Sequence, residues 1–154
     1  MGIDGKPIVD FEVQIPVIVL TKMIEQTMYS GADDKLVLLV DDEQSLLKAT
    51  SIGLKDRGFK VQTADSAELA IKAIQSLKPS IVVSDLAMPG MNGFELYQEV
   101  KKNAEYKSLP FVFLTAVDDF YAKKFGKELG GAAYITKPVD LDELEQILKE
   151  KMGG

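Results

Sequence analysis

The sequence predicts an α/β fold: a doubly wound, five-stranded parallel sheet. Three observations point there. Between residues 35 and 152, short apolar runs alternate with helix-length segments five times. Several runs are apolar throughout, as in strands covered by helices on both faces. Gly58, Pro79 and Gly130-Gly131 fall where helices must stop.

The elements follow in order. LVLLV (36–40) reads as the first strand. Residues 43–57 read as a helix, with Leu46, Leu47, Ile52 and Leu54 partly at helical spacing and Gly58 as its C-terminal cap. VQTA (61–64) is the second strand. Asp65 then serves as an N-cap, with Glu68 in capping-box position. The helix it opens carries Leu69, Ala70, Ala73, Ile74 and Leu77, and Pro79 ends it. IVVS (81–84) is the third strand, followed by a helix over about 93–103. FVFL (111–114) is the fourth strand. The next helix covers roughly 119–129, with Phe120, Tyr121 and Phe125 as core or output-face residues. AAYI (132–135) is the fifth strand. The last helix starts at Asp140, with Glu143 completing a capping box and Val139 and Leu144 forming a hydrophobic staple. Leu141, Leu144, Ile147 and Leu148 form its apolar face.

Residues 1–34 stand outside this alternation and are expected to form an N-terminal extension to a 35–152 domain. Val9, Phe11, Val13 and Ile15 alternate as in a strand, Pro16 interrupts, and residues 17–29 suit a helix. The extension reads as a docking element, a dimerisation arm or the remainder of an upstream module.

Composition narrows the chemistry. The 154 residues carry a formal net charge of -6 and no Lys/Arg-rich run, which argues against direct nucleic-acid binding. There is no cysteine and no histidine. That excludes disulfides, thiolate zinc sites, Ser-His-Asp and Cys-His catalysis, and phosphohistidine on this chain. A metal would need oxygen ligands, which points to Mg²⁺, Mn²⁺ or Ca²⁺. IPVIVL is too short to span a bilayer, and the N-terminus lacks signal-peptide features, so no membrane association and a cytoplasmic location are expected.

Ligands of open α/β sheets bind beyond the carboxyl ends of the strands. Strand 1 ends in Asp41-Asp42, strand 3 in Asp85, strand 4 in Thr115 and strand 5 in Thr136-Lys137-Pro138. Singly, each has a structural reading: Asp42 as a cap, Asp85 as a turn opener, Thr115 as a strand-end hydroxyl, Lys137 as a surface lysine. Together they converge if strands 1, 3, 4 and 5 are neighbours. Two carboxylates ~4 Å apart repel by ~4 kcal/mol at an effective dielectric of ~20. Three in one pocket either raise a pKa or hold a cation, and an all-oxygen set suits Mg²⁺. A cation, an ammonium and a hydroxyl together suit phosphoryl transfer, with Asp85 as the carboxylate that accepts the group.

DD at 41–42, DLAMPGMNG at 85–93, LTA at 114–116 and YITKP at 134–138 resemble the receiver domain of two-component response regulators, over about residues 35–152. The resemblance implies a flavodoxin-like strand order, 2-1-3-4-5. It implies Asp85 as phosphoacceptor, Asp42 as a direct Mg²⁺ ligand, Asp41 mostly through water, and the Ala87 backbone carbonyl as a further ligand. Lys137 would pair with Asp85 and then with a phosphoryl oxygen. Thr115 would move towards the phosphoryl group, and Tyr134 would rotate inward into the space left. The Lys137-Pro138 peptide would be cis. A histidine kinase or phosphotransfer protein would donate. A downstream protein would dock on the face made by the 119–129 helix, the fifth strand and the last helix, with homodimerisation left open. Ala87 and Val117 occupy positions where family members often carry polar side chains, so a slowly hydrolysed phospho-Asp85 is expected.

Two other functions compete. A phosphatase of the haloacid dehalogenase type also uses Asp, Mg²⁺, Thr and Lys, but needs an Asp-x-Asp pair where this chain has adjacent aspartates. A pseudo-receiver, binding partners independently of phosphorylation, is disfavoured by the intact acidic pair, Asp85, Thr115 and Lys137. Residues after 152 leave no room for an output domain, which suggests a stand-alone regulator, a relay intermediate or part of a longer protein.

Overall fold

The computed structural model describes residues 35–116 and 132–153. The expected strand and helix within 1–34, Val117 and the helix over 119–129 with Phe120, Tyr121 and Phe125 lie outside the described residues.

The described elements are β1 (Leu36–Val40), α1 (Gln44–Asp56), β2 (Lys60–Ala64), α2 (Ala67–Leu77), β3 (Ile81–Asp85) and α3 (Gly93–Lys101). A 3₁₀ turn (Ala104–Tyr106), β4 (Phe111–Thr115), β5 (Ala133–Thr136) and α4 (Leu141–Lys151) follow. The sheet is parallel, in the order β2-β1-β3-β4-β5, the flavodoxin-like arrangement.

Side chains alternate across a strand, so each buried strand feeds two cores. Leu38, Val40, Val82 and Phe113 pack with Ala70 and Ile74 of α2 and Leu96 and Val100 of α3. Val37, Leu39, Val83, Leu114 and Ile135 pack with Leu47 and Leu54 of α1 and Leu144 and Leu148 of α4. Every residue of β3 and β4 is buried, which is why these strands show no polar alternation.

The helices bury a narrower stripe than their leucines suggest. In α1, Leu47, Ser51 and Leu54 point inward, whereas Leu46 is 41% and Ile52 49% exposed. Leu46 precedes Leu47 by one residue, about 100° around the helix, and so leaves the buried face. In α2, Leu69 precedes the buried Ala70 by one residue and is exposed for the same reason, whereas Leu77 shares the stripe of Ala70 and Ile74 but is exposed at the last residue of the helix.

Some helix ends match the sequence reading and others differ. Gly58 has φ +95 and follows the C-cap Arg57. Gly58 N–H donates to Lys55 O at 3.0 Å and Phe59 N–H to Leu54 O at 3.1 Å, a Schellman closure. The N-cap of α2 is Ser66, whose hydroxyl accepts from Leu69 N–H at 3.2 Å. Asp65 instead accepts from Gln44 Nε2 at 3.0 Å, so the expected box with Glu68 does not form. The chain stays extended one residue longer, through Ser66 at φ -153 and ψ 161. Asp140 caps α4 by accepting from the N–H groups of Asp142 and Glu143, but the Glu143 side chain does not return a bond to the Asp140 N–H, so the expected capping box is only half formed. Val139 joins the core cluster that contains Leu144. Among the described residues, no helix is long and apolar enough to cross a membrane.

Candidate functional site

Strand register assembles the site. Val40 pairs with Ser84, so Asp41 and Asp85 leave adjacent strands side by side. Asp85 pairs with Leu114, and Thr115 pairs with Thr136, which sets Lys137 one step beyond Thr115. Lys137 N–H donates to Thr115 O at 2.8 Å, anchoring the β5 exit to the β4 exit. The Lys137-Pro138 peptide is cis.

The two central carboxylates are nearly inaccessible: Asp41 is 3% and Asp85 5% exposed. Lys137 Nζ lies 3.1 Å from Asp85 Oδ2 and 3.7 Å from Asp41 Oδ2. Asp41 Oδ1 accepts from Glu43 N–H at 2.9 Å, closing a turn into α1. That turn belongs to Asp41; Glu43 occupies the N-cap position, and Asp42 is exposed rather than a cap. Asp85 Oδ1 accepts a long, 3.4 Å bond from Ala87 N–H, with Ala87 itself exposed.

Carboxylate oxygens of Asp41, Asp42 and Asp85 lie within 4.8 Å of one another. Burial pushes the Asp85 carboxyl above its ordinary range, and Asp41 adds to the push. Lys137 and the Ala87 N–H pull the other way without prevailing. Three hard oxygen donors that repel one another, with one ammonium among them, fit a small divalent cation such as Mg²⁺. The donor set therefore suits the metal expected from the sequence.

Thr115 is buried, and its hydroxyl donates to Ala116 O at 2.8 Å. Tyr134 packs its ring on Phe113, with centroids 5.6 Å apart. The Tyr134 hydroxyl is buried and finds no hydrogen-bond partner among the described residues. Burial also pushes its pKa up. A groove of about 570 Å³ opens beside the site, running from Asp41 and Lys137 along Leu46, Ala49 and Leu141.

Sequence reasoning missed two residues that touch Asp85. Ser84 is fully buried and donates its hydroxyl to Asp85 O at 2.9 Å. Gly93 opens α3 hard against the same carbonyl. The available signals were a lone hydroxyl in an apolar strand and a glycine directly after the helix cap.

Comparison with known proteins agrees with this architecture. Residues 37–149 match the response regulator receiver domain. The chain is 39% identical over 118 residues to Response regulator Rre1 of Synechocystis sp., covering 76% of this chain and 51% of that protein. It is 30% identical over 118 residues to Protein PilH of Pseudomonas aeruginosa, covering 77% of this chain and 98% of that protein. Among solved structures, chemotaxis protein CheY4 of Vibrio cholerae superposes with a TM-score of 0.69 at 32% identity, covering 75% of this chain and 97% of that one. This chain spans about half the length of Rre1 and nearly all of PilH. With the match running from β1 through α4, the chain belongs to the response regulator receiver domain family of two-component signalling.

Proposed function

We propose that residues 35–152 form a phosphorylation switch acting in the cytoplasm, with Asp85 as the phosphoacceptor. Receiver domains of response regulators are signalling modules that interact with histidine kinases or phosphotransfer proteins. The observation that carries the assignment is the placement of Asp85. It is a buried strand-tip carboxylate facing an acidic pair and an ammonium 3.1 Å away.

In the proposed reaction, an Asp85 carboxylate oxygen attacks the phosphorus of a phosphohistidine partner. The phosphorus–nitrogen bond breaks, its electron pair returns to the imidazole, and an acyl phosphate forms on Asp85. Asp41, Asp42, Asp85 and the Ala87 carbonyl would hold Mg²⁺, with Mn²⁺ as a substitute. When bound, the cation supplies positive charge against carboxylate and phosphoryl oxygens. Lys137 turns from Asp85 to a phosphoryl oxygen. The Thr115 hydroxyl leaves Ala116 O for another, and Tyr134 adjusts to the space that movement opens. The groove along Leu46, Ala49 and Leu141 offers the donor an apolar footing beside the acceptor. Readout by a downstream protein is assigned to the face that includes β5 and α4.

The test is labelling by a small acyl phosphate with Mg²⁺. Wild type gains one phosphoryl group and Asp85→Asn gains none; equal labelling of the two would overturn the assignment. Ala87 presents only a methyl group at the mouth of the site, so no side chain there can orient a water on phospho-Asp85. Hydrolysis should be slow and should quicken several-fold in Ala87→Asn, followed by decay of the phosphorylated mass peak. Rapid loss that Ala87→Asn leaves unchanged would contradict this.

A further inference from the structure

We propose that Ser84 and Gly93 are positioning residues that grip the Asp85 peptide from two sides and so aim its carboxylate. This rests on Asp85 as the phosphoacceptor. Ser84 lies within β3 with no solvent exposure, and its hydroxyl donates to Asp85 O at 2.9 Å. A buried hydroxyl needs a partner, and this one takes a carbonyl that the helix start also crowds. A Cβ at position 93 would overlap Asp85 O and stand 3.0 Å from Leu86 Cα.

Space, not backbone freedom, demands this glycine. Gly58 and Gly90 have positive φ; Gly93 does not. Its N–H donates to Leu86 O at 3.0 Å, which ties the helix start to the residue after Asp85. Asn92 and Glu95 form a complete capping box over the same turn. The start of α3 is thus fixed and cannot slide away from an added methyl group. The added methyl group would press on the Asp85 peptide, which Leu86 N–H also ties to Leu114 O at 3.0 Å, and any turn of that peptide swings the bond that carries the carboxylate towards Lys137 and the acidic pair.

The test uses the full chain, saturating Mg²⁺ and a titration of acetyl phosphate, with initial rates read by intact mass. The folded fraction is read by near-ultraviolet circular dichroism on the same samples. Gly93→Ala should lower the maximal rate by about 100-fold, the scale expected of a misplacement near 1 Å. The half-saturating donor concentration should stay within about twofold, because donor contacts are unchanged. Ser84→Ala should lower the maximal rate several-fold at full folded fraction and unchanged half-saturation, and it decides the matter if Gly93→Ala does not fold. A folded variant of either kind at the wild-type maximal rate would overturn the proposal, as would a rate loss that merely tracks the folded fraction. A wild type that takes no phosphoryl group would overturn the phosphoacceptor reading itself, whereas a labelled wild type with unaffected variants sinks only the grip.

Discussion

Asp85 holds a carboxylate where burial disfavours its charge. Burial and Asp41 raise its pKa above the ordinary 3.8, against Lys137 and the Ala87 N–H. The sign for stability follows. Between pH 3.8 and the raised value, the folded state keeps a proton that the unfolded chain has released. Metal-free stability therefore falls as pH rises across that window. Asp85→Asn has no charge to bury, so in metal-free urea melts its stability relative to wild type should grow through the window and persist above it. A difference constant with pH would contradict this account. Asp41, Asp85, Thr115 and Lys137 were legible in the sequence because each stands where an apolar run stops, and strand ends in such a sheet share one edge. Ser84 and Gly93 were not. A serine inside a strand and a glycine after a turn have ordinary local readings, and only the tertiary approach of α3 to β3 reveals their shared contact with Asp85.

At the scale of elements, apolar runs located all five strands, because runs covered on both faces leave little ambiguity. Caps were harder. Asp65 with Glu68 and Ser66 with Leu69 are both plausible helix starts, one residue apart. The contact between Asp65 and Gln44, 21 residues away in sequence, accompanies the choice of Ser66 and is invisible to local pattern. The two starts make opposite predictions. Ser66→Ala should lower unfolding free energy by about 1 kcal/mol, the usual worth of an N-cap. Asp65→Ala should change it by less than about 0.5 kcal/mol, as expected of an exposed side-chain contact. Urea denaturation of both variants decides, and the reverse ranking would restore Asp65 as the cap. Gly58 was legible because its positive φ at a helix end is a local requirement that few residues besides glycine meet.

Across the whole molecule, strand order turns separated residues into one site. Asp41 and Lys137 are distant in the chain, yet their charged groups lie 3.7 Å apart because β1, β3, β4 and β5 are consecutive neighbours. Alternation of strands and helices predicts a parallel sheet but not its order; the order came from the resemblance carried by the motifs. Longer-range ties join the ends of the fold. Lys35 Nζ donates to Met152 O at 2.8 Å, and Arg57 of the α1 cap meets Asp142 and Glu145 of α4 at 2.6 and 2.8 Å. Such exposed ion pairs typically contribute little, so the two cores, not these bridges, carry most of the stability. The central claim concerns where the phosphoryl group resides. Borohydride reduces an acyl phosphate and converts its aspartate to homoserine. After phosphorylation with acetyl phosphate and Mg²⁺, reduction and peptide mapping should find homoserine at position 85 alone. Homoserine at position 41 or 42, or a phosphorylated chain with position 85 still aspartate, would contradict the account.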